Sequence, residues 1–100
     1  MGKKCSHNLR PSDNRIWKYR HIQNLSQQEI GQLLAYKTTA PISNWEKGRK
    51  IPNLVNAIRL SEILHTTVEA LFPGLCAHLK RELESKEKKL KIWLKLLTKL

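Results

Sequence analysis

The stretch LSQQEIGQLLAYKTTAPISNWEKGRKIPN, residues 25–53, carries two helix signals joined by a short polar segment. Its second to fifth residues, SQQE (26–29), form a capping box in which the serine and glutamate side chains each bond the other residue's backbone amide. Ile30, Leu33 and Leu34 follow at helical spacing. These signals predict a helix that begins just after the serine and ends at about Leu34.

A second helix is predicted directly after this segment, over about residues 39–46. Thr38 or Thr39 can cap it, and Pro41 is tolerated because the first turn of a helix does not need that residue's amide. Gly48 ends the helix, because glycine adopts the left-handed backbone conformation at no steric cost. The sequence therefore predicts two short helices with a tight connection between them.

Two segments precede this pair. Residues 1–11 are polar and basic, and we expect a disordered arm. Ser12 can cap a first helix that ends near Asn24. The apolar side of this helix is expected to consist of Ile16, Trp17 and Ile22.

Two further helices are predicted after Gly48. The first runs from about Leu54 to Leu64, and the second is short and capped by Thr66 or Thr67. The residues available for a core are Ile30, Leu34, Ile42, Trp45, Leu54, Ala57, Ile58, Leu60, Leu64, Leu71 and Phe72. Because no strand-like alternation occurs, we predict an all-α chain with a five-helix domain over residues 12–73.

Residues 74–100 differ from this domain because their apolar residues follow one long seam. Positions alternately three and four apart are Cys76, Leu79, Leu83, Lys86, Leu90, Trp93, Leu97 and Leu100. Seven of these eight are apolar, which predicts a long amphipathic C-terminal helix. A domain of this size does not bury so long a seam, so we expect self-association. The seam residues expected to carry it are Leu79, Leu83, Leu90, Trp93 and Leu97.

The formal net charge of +11 is concentrated at the two ends of the chain. Residues 1–24 hold six basic residues and one acidic residue, and residues 80–100 hold eight basic and three acidic residues. Residues 25–79 are nearly balanced. Basic flanks around a nearly neutral centre suit a polyanionic partner, because each neutralised phosphate releases condensed counterions. The alternative explanation is that the positive charge only keeps the protein soluble and binds no partner.

Other functional classes have little support in the residues. Cys5 and Cys76 are far apart and belong to no C-x-x-C pair, so a reducing compartment is expected. Cys5 and His7 lack a second ligand pair at zinc-finger spacing, so we expect no metal and no cofactor. The histidines have no Ser or Cys partner in a catalytic motif, so we expect no enzyme activity. No apolar run approaches the ~20 residues that cross a bilayer.

Residues 16–72 resemble the phage-repressor and Cro-type helix-turn-helix family, which includes the xenobiotic-response-type regulators. The resemblance rests on Arg20, LSQQEIGQLL, ISNWEKGRKIP and the TVEAL segment, in that order. It implies a lambda-repressor-like domain that binds double-stranded DNA with the helix around residues 39–46 in the major groove. It also implies a cytoplasmic transcriptional regulator of a prokaryote, phage or mobile element, and we expect a dimeric repressor of an inverted-repeat operator.

The resemblance also implies roles for individual residues. Base edges are expected to be read by Thr39, Ala40, Ser43 and Asn44. Phosphates are expected to be contacted by Gln27, Thr38, Lys47, Arg49 and Lys50. Arg20 and Glu46 resemble a family ion pair that ties the first helix to the base-reading helix. Ser43 and Asn44 can alternatively be ordinary solvated helix residues, and the basic run of Lys47, Arg49 and Lys50 can alternatively be an ordinary solvated surface.

The chain departs from the family pattern in the turn. LLAYKTTAPIS is one residue longer than usual, and Ala35 stands where glycine is common. The base-reading register can therefore move by one residue, with Thr38 in place of Thr39. His65 also stands where the family often has a left-handed glycine.

Two other functions are compatible with the sequence. An antitoxin would use the domain to repress its own promoter and the tail to bind a toxin. A peripheral membrane protein would use LKIWLKLLTKL, residues 90–100, as a cationic amphipathic helix. The MGKKCS start, with Gly2 as acceptor, matches the myristoylation pattern that would assist it. The membrane hypothesis leaves the resemblance over residues 16–72 without a role.

Overall fold

The computed structural model describes residues 10–99, and these residues are largely α-helical. The helices in chain order are α1 (Ile16–Ile22), α2 (Gln27–Leu33), α3 (Ala40–Glu46), α4 (Leu54–Ile63), α5 (Val68–Leu71) and α6 (Pro73–Thr98). No strand forms between residues 10 and 99, so this part of the chain is all-α as predicted. Most of the expected basic arm, residues 1–9, lies outside the described residues.

The start of α1 differs from the prediction, because the helix begins at Ile16 and Ser12 does not cap it. Residues 10–13 instead form a turn, in which the amide of Asp13 donates to the carbonyl of Arg10 over 2.9 Å. Asn14 then accepts a hydrogen bond from the amide of Ile16 over 3.2 Å through its side-chain oxygen. Short polar side chains that bond nearby backbone favour such turns over a helix, which explains the later start.

The same turn holds the pKa of the Asp13 carboxyl below its ordinary value of 3.8. The main cause is the hydrogen bond that the backbone amide of Arg10 donates to the carboxylate. Partial desolvation opposes the shift, and the Arg10 side chain adds to it by a hydrogen bond and by its charge. Because the folded-state pKa is the lower one, this contribution to stability is present above pH 3.8 and is lost as the pH falls through the folded-state value.

The N-terminus of α2 has the predicted capping box. The hydroxyl of Ser26 accepts from the amide of Glu29 over 3.0 Å, and the carboxylate of Glu29 accepts from the amide of Ser26 over 2.8 Å. Ile30 and Leu34 are buried as predicted. Leu33, which shares their spacing, is 61 % exposed, because it lies on the side of the helix that faces away from the core.

A left-handed residue and an anchored tyrosine define the connection from α2 to α3. Ala35 has a φ of 64°, a conformation that favours glycine, and the amide of Tyr36 donates to the carbonyl of Gly31 over 2.8 Å. The Tyr36 ring packs edge-on against Trp45 of α3 with centroids 5.9 Å apart, and its hydroxyl accepts from Asn56 of α4 over 2.9 Å. One aromatic side chain therefore fixes the connection to two helices.

Side-chain caps begin both α4 and α5. The side-chain oxygen of Asn53 accepts from the amide of Asn56 over 2.8 Å, and the hydroxyl of Thr67 accepts from the amide of Ala70 over 3.0 Å. Thr67 is one of the two predicted caps, whereas the cap at Asn53 was not predicted. His65, between the two helices, has a φ of 53°, the left-handed conformation expected at this position.

The core lies among the first five helices and the residue that follows them. It consists of Ile16, Ile30, Leu34, Ile42, Trp45, Ala57, Leu60, Leu64, Leu71 and Phe72. The expected apolar residues Trp17, Ile22, Leu54 and Ile58 are exposed instead, by 49–73 %. They are exposed because each of these helices buries one narrow stripe, and apolar residues beside that stripe face the solvent.

The long helix α6 begins at Pro73, one residue before the expected boundary. Proline suits the first position of a helix, because its missing amide hydrogen would have no partner there. Gly74 is buried, and a β-carbon at this position would collide with the backbone carbonyl of Arg10. The first turn of α6 therefore rests on the turn at residues 10–13, whereas every residue from 78 to 99 is exposed.

Candidate functional site

The helix α3 has one buried face and one face turned to the solvent. Ile42 and Trp45 are 0 % and 5 % exposed and hold the helix against the core. Ala40 is exposed on the other side, and its neighbours there are partly exposed. The four side chains expected to read bases share this outward face, namely Thr39, Ala40, Ser43 and Asn44.

Arg20 and Glu46, which were paired from the sequence, form a two-point ion pair between α1 and α3. Arg20 Nε lies 2.6 Å from Glu46 Oε2, and Arg20 Nη2 lies 3.2 Å from Glu46 Oε1. The side chains are only 11 % and 6 % exposed, so loss of either would leave the other charge buried without compensation. Arg20 also donates to the carbonyl of Leu25 over 3.0 Å, so one guanidinium joins α1, the start of α2 and α3.

The side chain of Gln27 is part of the same network. Its amide nitrogen donates to Glu46 Oε1 over 3.0 Å, so the Glu46 carboxylate accepts from both Gln27 and Arg20. An amide nitrogen carries two hydrogens, and one of them is used inside the protein. Gln27 therefore has a structural contact in addition to the phosphate contact that the sequence predicts for it.

Three asparagines near α3 have different surroundings. The Asn14 side chain donates to the carbonyl of Trp45 over 2.8 Å, and the Asn56 side chain donates to the Tyr36 hydroxyl over 2.9 Å. Within residues 10–99, Asn44 forms hydrogen bonds through its backbone carbonyl, which accepts from two amides of the following loop. The Asn44 carboxamide is thus the one of these three that is available to an external hydrogen-bonding partner.

The two threonines before α3 have different roles at its start. Thr39 is the N-cap residue and is partly exposed, but its hydroxyl forms no capping hydrogen bond. Thr38 is exposed, and its hydroxyl accepts from the amide of Ala40 over 3.4 Å. The Thr38 hydroxyl is therefore used at the start of the helix, whereas the Thr39 hydroxyl forms no capping hydrogen bond there.

A basic loop directly follows α3. Lys47, Arg49 and Lys50 are all exposed around Gly48, whose φ of 73° is left-handed as predicted. A β-carbon on Gly48 would lie 2.8 Å from the carbonyl oxygen of Ser12, so this position also requires a close backbone approach. The two ion pairs formed among residues 10–99 use other cations. Three positive charges that form no ion pair among residues 10–99 therefore lie next to the C-terminal end of α3.

Three residues that position α3 were not predicted from the sequence. Asn14 and Asn56 gave no distinctive signal, because asparagine is common in turns and at helix ends. Tyr36 gave a weak signal, as an aromatic residue in an otherwise polar turn. Its contacts with Trp45 and Asn56 come from parts of the chain 9 and 20 residues away, so local sequence did not predict them.

The residues expected to form the self-association seam lie along α6, away from α3. Leu79, Leu83, Leu90, Trp93 and Leu97 are 44–59 % exposed. Leu100, the last residue of the predicted seam, lies outside the described residues. The outward face of α3 and the seam of α6 are therefore two separate surfaces.

Further properties bear on the alternatives. Between residues 10 and 99, no three His, Cys, Asp or Glu side chains are grouped in a way that would hold a metal ion. No helix in the same range combines the length and apolar content needed to cross a membrane. Cys76 is a free, partly buried thiol. The considered ligand pair Cys5 and His7, and the acylation candidate Gly2, lie outside the described residues.

Comparison with known proteins found no matching protein-family model, no matching curated protein and no matching solved structure. The family resemblance therefore rests on the motifs between residues 16 and 72. The geometry of α3 and its surroundings stands independently of that resemblance.

Proposed function

We propose that the chain is a sequence-specific, DNA-binding transcriptional regulator with a helix-turn-helix fold, acting as a dimeric repressor on an inverted-repeat operator. The observation that carries this proposal is the outward face of α3, which is polar, held by a buried ion pair and followed by three exposed cations. In this arrangement α3 lies in the major groove and α2 crosses the DNA backbone.

The side chains on this face are suited to A·T base pairs. The Asn44 carboxamide can form two hydrogen bonds with adenine, and the side chain of Ala40 or the methyl group of Thr39 can contact a thymine methyl. A good two-point contact of this kind discriminates by about 1–3 kcal/mol against other bases. Because no arginine stands among the four base-facing residues, guanine is not the favoured target.

The basic loop supplies affinity instead of specificity. Lys47, Arg49 and Lys50 are exposed in the loop that follows α3, and we expect them to contact phosphates beside the groove that holds this helix. Each neutralised phosphate releases condensed counterions, so binding weakens steeply as the salt concentration rises. The buried pair of Arg20 and Glu46 keeps α3 at a fixed angle, so little conformational entropy is lost when DNA binds.

Selection of binding sites from random duplex DNA, at moderate salt and with competitor, tests this proposal. We expect enrichment of an inverted repeat with A/T-rich half-sites separated by about one helical turn. Salt-sensitive binding to every duplex without enrichment would contradict it, since that behaviour belongs to a non-specific basic protein.

Two variants separate base reading from phosphate contact. Asn44→Ala should lower affinity for the selected site by about 1–3 kcal/mol and relax the preference at one position of each half-site. Lys50→Ala should weaken binding to all duplexes alike and reduce the salt dependence. Lys18→Ala removes the same charge from the exposed surface of α1 and serves as the matched control.

An antitoxin is the second candidate, because α6 exposes an apolar seam that a toxin could cover. This function requires a neighbouring gene whose product arrests growth, and co-expression of the chain should restore growth by forming a complex. Both candidates place the protein in a prokaryotic cytoplasm. Sedimentation with anionic vesicles tests the membrane alternative, which predicts that the chain pellets with lipid.

A further inference from the structure

The helix α6 exposes a long row of large apolar side chains. Eight large apolar side chains between residues 78 and 99 are 44–60 % exposed: Leu79, Leu83, Leu90, Ile92, Trp93, Leu94, Leu96 and Leu97. A second copy of the same helix has the same length, 26 residues, and can therefore cover this row from end to end.

The seam has the heptad positions of a coiled coil. Leu83 and Leu90 occupy the first core position of successive heptads, and Leu79 and Lys86 occupy the second. Charged residues flank this seam in two rows, one on each side. Glu82 and Lys89 belong to one row, and Lys80 and Glu87 belong to the other.

These charges are complementary when two copies run antiparallel. Each flanking row then lies across from the same row of the partner, because the helices are related by a two-fold axis perpendicular to them. With the two seams centred between residues 84 and 85, Glu82 faces the partner's Lys89 and Lys80 faces the partner's Glu87. The two-fold axis repeats both contacts, so every facing charged pair in these rows is attractive.

Other registers bring like charges together. In a parallel pair, Glu82 faces the partner's Glu87, and Lys86 meets the partner's Lys86 within the seam. Shifting an antiparallel pair by one heptad places Lys80 across from the partner's Lys80 in one direction. In the other direction it places Lys89 across from the partner's Lys89. The centred antiparallel register avoids all of these contacts and moves Lys86 beside the partner's Leu83.

A groove at the start of α6 can bind the apolar residues near the C-terminal end of α6 in a second copy. A groove of about 690 Å³ lies between α5 and the first turns of α6, and its lining includes Pro73, Cys76, Leu79 and Leu83. In the antiparallel register, Cys76 lies opposite the partner's Trp93. The partner's broad apolar end, from residue 93 to residue 97, therefore meets a surface that is wider than a single helix.

We propose that two copies of the chain pair through α6 in this antiparallel register, with Leu79 against the partner's Leu90 and with the partner's Trp93 in the groove beside Cys76. The pairing specifies the dimer of the proposed function but does not require DNA. With a rise of 1.5 Å per residue, the two Cys76 residues lie roughly 25 Å apart along the helix axis. The two domains then occupy opposite ends of the helix pair.

A charge reversal tests the direction of pairing, because it has opposite effects in the two arrangements. Glu82→Lys places a positive charge against the partner's Lys89 in the antiparallel pair, but against the partner's Glu87 in a parallel pair. We expect the dimer dissociation constant, measured by sedimentation equilibrium of the full chain, to rise about tenfold or more. Addition of Lys89→Glu to this variant should restore the dissociation constant of the wild type, because the facing charges are again opposite.

Glu84→Lys is the matched control, since it changes the net charge equally but lies outside both flanking rows; its dissociation constant should remain near that of the wild type. Circular dichroism of each variant should show unchanged helix content. A tighter or unchanged dimer for Glu82→Lys would overturn the proposal. So would a wild-type chain that remains monomeric at roughly tens of micromolar, as expected if another protein or an anionic membrane covers the seam.

Disulfide cross-linking tests the register without changing charge. In a background of Cys5→Ser and Cys76→Ser, one tagged copy carries Leu79→Cys and a second copy carries Leu90→Cys. We expect the oxidised mixture to form a covalent heterodimer and each copy alone to remain uncross-linked, because two residues at position 79 lie roughly 16 Å apart in the antiparallel pair.

Cross-linking of either copy with itself would overturn the proposal, since it requires parallel helices or an antiparallel pair in a different register. Failure of the pairing and failure of the proposed function are distinguishable, because these measurements contain no DNA and binding-site selection does not measure helix direction.

Discussion

Apolar residues of the same types are buried in the helices between residues 10 and 72 but exposed along the long helix α6. Leu60 and Leu64 are completely buried, whereas Leu90 and Trp93 of α6 are more than half exposed. Among the described residues, no buried side-chain nitrogen or oxygen lacks a hydrogen-bond partner. The apolar residues of the domain pack against other helices of the same chain, whereas residues 78–98 of α6 pack against no other helix of this chain.

The two regions also owe their helicity to different causes. α1, α2 and α3 have seven residues each, a length at which an isolated helix is unstable in water, so tertiary packing must hold them. α6 has 26 residues, and its sequence places Glu82, Glu84 and Glu87 each four positions before a lysine. Such pairs stabilise a helix locally, so α6 can be helical while its seam is still uncovered. The following predictions test this difference.

The largest effect is expected when the buried ion pair of the domain is broken. Glu46→Ala leaves Arg20 with an uncompensated charge at a side-chain exposure of 11 %, and also removes the acceptor of Gln27. We expect a loss of about 3–5 kcal/mol in the free energy of unfolding, measured by urea denaturation. Glu62→Ala, which removes an exposed glutamate of α4, should change it by less than about 0.5 kcal/mol. Equal effects of the two variants would contradict a structural role for the pair.

A matched pair of leucine truncations compares the two regions directly. Leu60→Ala should cost about 2–5 kcal/mol, because it removes a side chain with 0 % exposure and leaves a cavity. Leu90→Ala removes a side chain that is 53 % exposed and should barely change unfolding at protein concentrations where the chain is monomeric. Thermal unfolding across a dilution series measures both. A large concentration-independent loss for Leu90→Ala would show that α6 packs on its own domain.

Two helix caps that look alike in sequence should behave differently. Ser26→Ala removes a hydroxyl that accepts from the amide of Glu29, and should cost about 1 kcal/mol of stability. Thr39→Ala removes a hydroxyl that makes no capping bond, so stability should change little. DNA affinity should show the reverse order if Thr39 contacts bases. A stability loss for Thr39→Ala as large as that for Ser26→Ala would contradict the assignment.

The smallest expected effect is a gain in stability. Ala35 has a φ of 64°, at which glycine is unstrained, so Ala35→Gly should raise the free energy of unfolding by up to about 1 kcal/mol. Ala70→Gly makes the same change within α5 and should lower stability, because glycine is unfavourable in a helix. Calorimetric melting temperatures measure both, and a loss for Ala35→Gly would show that the turn is not strained.

Signals confined to a few neighbouring residues predicted much of the fold. The capping box at residues 26–29 and the left-handed Gly48 are local devices, and both occur where expected. Ser12 was wrong as a cap because Asp13 and Asn14 bond neighbouring backbone amides in a turn, and the amide of Arg15 donates to the carbonyl of Leu71. Helical periodicity found Ile30 and Leu34 but also selected Leu33, because spacing does not state how wide the buried stripe is.

The residues of the candidate site that belong to one helix were predicted from the sequence. The contacts that join several helices around it were not. Thr39, Ala40, Ser43 and Asn44 share the outward face of α3, because helical spacing places them opposite the buried Ile42 and Trp45. The contact of Gln27 with Glu46, and those of Tyr36 with Trp45 and Asn56, join positions 9 to 20 residues apart. Such contacts depend on how the helices pack, which no local pattern encodes.

Helix type, most helix ends and the charge of each segment follow from local chemistry, since caps, spacing and turn residues act within a few positions of each other; the start of α1 is the exception. Which apolar residues are buried, and which polar side chains are used inside the protein, depends on tertiary packing. A leucine at helical spacing becomes core at residue 60 and remains exposed at residue 90, because only the first has other helices of the same chain around it.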